Sequence, residues 1–127
     1  YVAIHDGARP WIRPLQIEKV FETAMQYGAA VSARPITDTV KRCDQEGAIK
    51  ESISRKDLWA METPQVFRTE LIERAYNQAI LEDRQVTDEV SAIELVGAPV
   101  RVVHDPFNNP KITFPDDLKA QDPMEST

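Results

Sequence analysis

The sequence predicts an α/β protein built on an open sheet, and three observations carry that expectation. Residues 1–4 form a short apolar run, and the apolar positions that follow repeat at helical spacing as far as Tyr27. After Gly28 a second apolar run, residues 29–33, completes a strand–helix–strand order, the pattern of a right-handed β-α-β unit. A third apolar run at residues 100–103 follows two more helical stretches and adds a further strand.

Taken in order, the first strand gives way to a turn at Asp6-Gly7. Ile17, Val20, Phe21 and Ala24 define the buried face of a helix over residues 15–27, with Gly28 as its C-cap. The second strand must stop before Pro35, whose ring disfavours helix and constrains the residue before it. Residues 38–54 differ in kind: TDTVKRC and AIKESIS are strand-like and polar, and DQEG links them. A hairpin with so few large apolar residues cannot bury itself, so it is expected to leave the domain as an arm, spanning about residues 37–55. Thr63-Pro64 in LWAMETPQVF reads as a turn before a short strand at Val66-Phe67. Leu71, Ile72, Ala75, Tyr76 and Ala79 then share one face of a helix over residues 69–81. Thr87-Asp88 supplies a cap for a short helix carrying Val90, Ile93 and Leu95, closed by Gly97. Residues 113–116, Thr-Phe-Pro-Asp, have capping-box spacing and start a C-terminal helix, after which QDPMEST is expected to fray.

At 127 residues the chain has room for one domain. A net charge of -6 opposes binding to nucleic acid or to an anionic membrane, so an anionic substrate would need a local basic pocket. The single cysteine, Cys43, excludes an internal disulfide framework and fits a reducing compartment. His5 and His104 lack the spacing of a zinc site, and neither a G-x-S-x-G elbow nor a glycine-rich phosphate loop occurs. No apolar run reaches transmembrane length.

Candidate chemistry lies at strand ends and in the arm. HDGARP follows the first strand, at the position where open α/β sheets place ligands. Asp6 is a candidate ligand for Mg²⁺ or acceptor for substrate hydroxyls, and Arg9 a candidate phosphate partner; an Asp-Gly turn beside a surface arginine explains them equally well. Residues 37–42 mix hydroxyls and cations, and Arg55 stands at the far end of the same arm; both also read as solvated charge. Thr63 fits a turn, and Thr87 fits helix capping. Lys111 precedes the C-terminal helix start, a place suited to anions.

The order HDGARP, ITDTVKR, SRKDLW, TPQVF, TDEVSAIE, NPKITFPDDL resembles the cytidylyltransferases that act on 2-C-methyl-D-erythritol 4-phosphate, over essentially residues 2–118. The resemblance implies a Rossmann-like nucleotidyltransferase fold with a protruding β-arm, working with CTP, a sugar-alcohol phosphate and Mg²⁺, in the cytoplasm or, for a plant-type source, the plastid stroma. It implies that Asp6 binds substrate hydroxyls beside the metal, that Arg9 orders the site, and that Thr63 bonds the substrate phosphate. It further implies that Lys111 pairs with that phosphate or the transferring one, that Thr39 and Arg55 reach a second subunit's pocket within a homodimer, and that Thr87 shapes the site. Pro110 departs from the aliphatic residue usual in the family at that position. The family's glycine-rich nucleotide loop does not precede Tyr1, so the chain is expected to be the C-terminal portion of one nucleotidyltransferase domain and inactive alone. Ribitol 5-phosphate cytidylyltransferase, or a truncated module that only dimerises, are the competing expectations.

Overall fold

The structure, a computed structural model, describes residues 1–119. Its elements run β1 (Val2–Ile4), α1 (Pro14–Tyr27), β2 (Ala29–Pro35), β3 (Val40–Cys43), β4 (Ile49–Ile53), β5 (Trp59–Phe67), α2 (Thr69–Leu81), α3 (Glu89–Leu95) and β6 (Arg101–His104), then a 3₁₀ turn, Pro115–Lys119. Four strands form one sheet in the order β1-β5-β2-β6, and β3 pairs with β4 in a separate two-stranded sheet.

The α/β expectation holds, with β5 far longer than the short strand expected at Val66-Phe67. Both β1 and β2 run antiparallel to β5, so they are parallel to each other and β5 lies between them. β6 runs parallel to β2. The expected turn at Thr63-Pro64 is instead the middle of the nine-residue β5. Proline lacks the N–H a ladder needs and is normally kept out of central strands. Here the β1 pairing ends at Gln65, and the β2 pairing slips between Val31 and Ala33, so neither neighbour requires that N–H. The Thr63-Pro64 peptide is cis.

Pairing across β2 and β5 divides the core between two faces. Ala29 pairs with Phe67, and both pack with Ile72, Ala75, Ala92 and Ile93 of α2 and α3. Ala30 pairs with Val66, and both pack with Val20 and Ala24 of α1. The result is a helix–sheet–helix sandwich in which small β2 alanines let the helices approach. Gln16, buried in α1, ties that helix to the sheet by donating to Ser32 Oγ at 3.0 Å and the Val103 carbonyl at 3.2 Å.

The helix signals were legible. Pro14 occupies the first turn of α1, and Gly28 closes it at φ 100°, its N–H donating to the Ala24 carbonyl. α2 spans the expected residues, although Tyr76 turns to the surface and its hydroxyl donates to Glu89. Asp88 caps α3 by accepting the Ser91 N–H at 2.7 Å.

Three expectations need correction. The apolar runs of β1 and β6 read as buried strands, but each pairs on one side only among the described residues, leaving Val102 40% exposed. Among the described residues, the start of the expected C-terminal helix is a short 3₁₀ helix, Pro115–Lys119, and the carboxylate that accepts the Thr113 and Phe114 N–H groups is Asp117 rather than Asp116. Lys111 therefore does not precede an α-helix N-terminus. The tail expected to fray lies outside the described residues.

Candidate active site

β1, β2 and β6 are parallel, so their carboxyl ends lie at one edge of the sheet, the usual ligand position in open α/β folds. Asp6 and Arg9 follow β1, Arg34 lies near the end of β2, and residues 105–111 follow β6. The antiparallel β5 brings Glu62 and Thr63 from its middle to the same corner. There its slipped pairing with β2 re-aims side chains, as bulges beside sites commonly do.

The corner is closely wired. Thr63 Oγ1 accepts the Asp6 backbone N–H at 3.0 Å and lies 2.9 Å from His5 Nδ1. His5 Nε2 meets the Arg9 carbonyl at 2.9 Å, and since a carbonyl only accepts, that nitrogen carries a proton. Arg9 Nε reaches Asp6 Oδ2 at 3.2 Å, while its Nη1 donates to the Asn109 carbonyl at 2.7 Å and lies 3.5 Å from Glu62 Oε2. Asn109, fully buried, donates from Nδ2 to the Thr63 carbonyl at 2.7 Å. Ile112 N–H donates to the Ala8 carbonyl at 2.7 Å, which docks the segment carrying Lys111 against the Asp6–Arg9 turn.

Glu62 sits between two guanidiniums. Its Oε2 lies 3.2 Å from Arg34 Nε, an ion pair rather than an aligned hydrogen bond, and Arg34 Nη2 donates to the Phe107 carbonyl at 2.6 Å. Burial lifts the Glu62 carboxyl above its ordinary value, and Arg34 and then Arg9 pull it part of the way back. Oε1 of Glu62 and Oδ1 of Asn109 are buried without a hydrogen-bond partner among the described residues.

The structure thus brings Asp6, Arg9 and Thr63 together, with Lys111 exposed on the adjoining loop. It does not bring the arm to them: Thr39 is exposed before β3, and Arg55 donates to the Thr37 carbonyl at the arm's own base. Thr87 stands at the start of α3, with its hydroxyl 3.4 Å from Ser91 Oγ. Sequence reasoning missed Glu62, Arg34 and Asn109. Only Asn109 left a trace, as a polar residue in a loop already singled out for Lys111.

A corner of interlocked arginines and carboxylates at the carboxyl ends of parallel strands, beside a separate two-stranded β-arm, is the layout of a nucleotidyltransferase sheet, and solved structures agree. A 2-C-methyl-D-erythritol 4-phosphate cytidylyltransferase from Thermus thermophilus superposes with a TM-score of 0.85 at 32% identity, over 93% of this chain and 58% of that one. The Francisella tularensis enzyme of the same name gives 0.83 at 31% identity, over 93% and 56%. The family model for 2-C-methyl-D-erythritol 4-phosphate cytidylyltransferase matches residues 1–124, and the chain belongs to that family. Relatives of that name from Pelotomaculum thermopropionicum and Syntrophus aciditrophicus are 43% and 42% identical over 92% of this chain. The chain spans about half the length of these curated relatives, 49% and 50%.

Proposed function

We propose that this chain forms the sugar-phosphate side of a cytidylyltransferase site, within a protein that converts CTP and 2-C-methyl-D-erythritol 4-phosphate into the CDP-linked sugar alcohol and pyrophosphate in non-mevalonate isoprenoid biosynthesis. The observation that carries the reading is the Asp6–Arg9–Thr63–Asn109 corner, formed at the ligand end of the sheet in a member of this family. In the reaction a substrate phosphate oxygen bonds to the α-phosphorus of CTP as the bond to the bridging oxygen of pyrophosphate breaks. Such a transfer depends on positioning and charge stabilisation rather than on a covalent intermediate with the protein.

In this reading Asp6, whose side chain is 36% exposed, accepts hydrogen bonds from substrate hydroxyls. Arg9 fixes that carboxylate and contributes positive charge. Thr63 acts through its hydroxyl, which holds the Asp6 backbone in place and lies next to the phosphate position. Lys111, exposed on its loop, pairs with the incoming phosphate. Thr87 shapes the approach. Thr39 and Arg55 serve the pocket of a second copy in a homodimer, a role supported by the exposure of both and by an arm whose strands pair only with each other among the described residues.

Mg²⁺ fits this donor set. It binds through one or two carboxylates and completes its shell with water and substrate phosphates, and Asp6 offers one accessible carboxylate. No cluster of three or more metal-ligating side chains occurs among the described residues, so the ion would arrive with the nucleotide. Bound there, it would neutralise triphosphate charge. The free, exposed Cys43 supports a cytoplasmic setting. Among the described residues no helix is long and apolar enough to cross a membrane.

Titrating the chain with 2-C-methyl-D-erythritol 4-phosphate, followed by amide chemical shifts, tests the reading. Shifts at Asp6, Arg9, Lys111 and Ile112 are expected, with a weaker response to ribitol 5-phosphate. No response, or an equal response to both sugar phosphates, would sink it.

A further inference from the structure

The loop after β6 holds Lys111 yet has little apolar anchorage: Phe107 and Asn108 are exposed, and Lys111 lies on the surface. Two arginines hold its backbone. Arg34 donates to the Phe107 carbonyl and Arg9 to the Asn109 carbonyl. They arrive from different strand ends, and like charges so close repel unless something lies between them. What lies between them is the Glu62 carboxylate, with Oε2 3.2 Å from Arg34 Nε and 3.5 Å from Arg9 Nη1. The Glu62 side chain is only 7% exposed, against 12% for Arg9 and 35% for Arg34, so solvent screens this triad far less than a surface pair.

We propose that Glu62 is a positioning residue: it holds Arg9 and Arg34 side by side and, through their bonds to the Asn109 and Phe107 carbonyls, fixes the loop that presents Lys111. The place of Glu62 in β5, beside the slipped pairing that also directs Thr63, means one strand sets both the Asp6 turn and the Lys111 loop. Only the phosphate-binding role of Lys111 rests on the function proposed above. The clamp itself does not depend on it.

Native-state amide exchange on the whole chain, read residue by residue, tests the clamp. Hydrogen bonds involving charged groups contribute about 1.5–3 kcal/mol, so Glu62→Ala should speed exchange at Phe107 and Ile112 by about ten- to a hundredfold. Val66 and Ala30, in the sheet core, should keep their protection. Arg34→Met provides a second arm for the case where Glu62→Ala fails to fold. Arg34 bonds the Phe107 carbonyl, while the Phe107 N–H is held within the loop by Asp105 Oδ1 and the Ile112 N–H by the Ala8 carbonyl; loosening the loop at Phe107 should therefore speed exchange there more than at Ile112. Unchanged exchange at Phe107 in both variants, or equal acceleration at Val66 and Ala30, overturns the proposal. In a parallel titration with 2-C-methyl-D-erythritol 4-phosphate, Glu62→Ala should weaken binding about tenfold, and Glu62→Gln should recover part of that loss. If the wild-type chain ignores the sugar phosphate while the loop amides still respond to the mutations, the substrate reading fails and the clamp stands.

Discussion

The corner around Asp6 and the arm beyond Thr37 have a similar mixture of charges and hydroxyls, yet they are built on opposite principles. In the corner, partners come from far along the chain: Arg9 meets Asn109, Asp6 meets Thr63, and Glu62 meets both Arg9 and Arg34. In the arm, contacts are local. Arg42 pairs with Glu51 across the hairpin, Lys41 with Ser52, and Asp44 Oδ1 accepts the N–H groups of Glu46 and Ala48 in the turn. Long-range wiring behind a two-faced core fixes geometry. A locally wired hairpin fixes only its own shape and leaves its surface for another partner. The corner should therefore suffer greatly from losing core support, and the arm should scarcely affect the folded domain.

Phe67 offers the largest test of that contrast. It is fully buried at the end of β5, the strand that also carries Glu62 and Thr63. Phe67→Ala removes a large side chain from a packed site and should cost about 3–5 kcal/mol of unfolding free energy. Urea denaturation measures this. A loss below about 1 kcal/mol would mean that the face shared by Phe67, Ile72 and Ile93 does not support the corner.

Acid titration sharpens the comparison. The Glu62 carboxyl is raised above 4.5 by burial, against the pull of Arg34 and Arg9, with Asp105 adding to the rise. Between 4.5 and the higher folded value, the unfolded chain has released this proton while the folded chain still holds it; above both, the folded side chain is the carboxylate that meets Arg9 and Arg34. The contribution of Glu62 is thus fully present below the unfolded value and declines as pH rises through the folded one. Asp117 acts in the opposite sense: the Phe114 and Thr113 N–H groups lower its value, so its local contribution is lost as pH falls. Comparing urea stabilities of wild type and Glu62→Gln from about pH 4 to 7 isolates the first effect. The wild-type advantage should shrink with rising pH, and a difference that grows instead would show that the ion pairs outweigh burial.

The same contrast explains what the sequence made legible. Caps, helical periodicity and the polar hairpin are local, and Gly28, Asp88 and the DQEG turn lie where those signals place them. β5 was hidden because Pro64 argues against a central strand until the slipped β2 pairing is known. The valine run of β6 signalled burial, but a strand's place in a sheet depends on its neighbours. Asp6, Arg9 and Thr63 stand out because family motifs carry them, and the structure brings the three into one corner. Glu62 meets Arg34 and Arg9, and Asn109 meets Arg9 and Thr63, across separations that no periodicity records.

The smallest expected effect lies in the arm. Arg42 Nε is 2.7 Å from Glu51 Oε1, a good ion-pair distance, but the two side chains are 65% and 57% exposed. Water screens such a pair and ordering two long side chains opposes it, so Arg42→Ala should cost no more than about 0.2–1 kcal/mol. In thermal unfolding of the dilute chain, the midpoint should move by only about 2 °C. Repeating the scan at high protein concentration adds the decisive condition, because association stabilises a folded chain by mass action. A larger shift that appears only when the chain is concentrated would place the arm's partner on another copy. A large shift at every concentration would make the arm part of the domain's own folding unit, and the division between a wired corner and a locally built arm would fail.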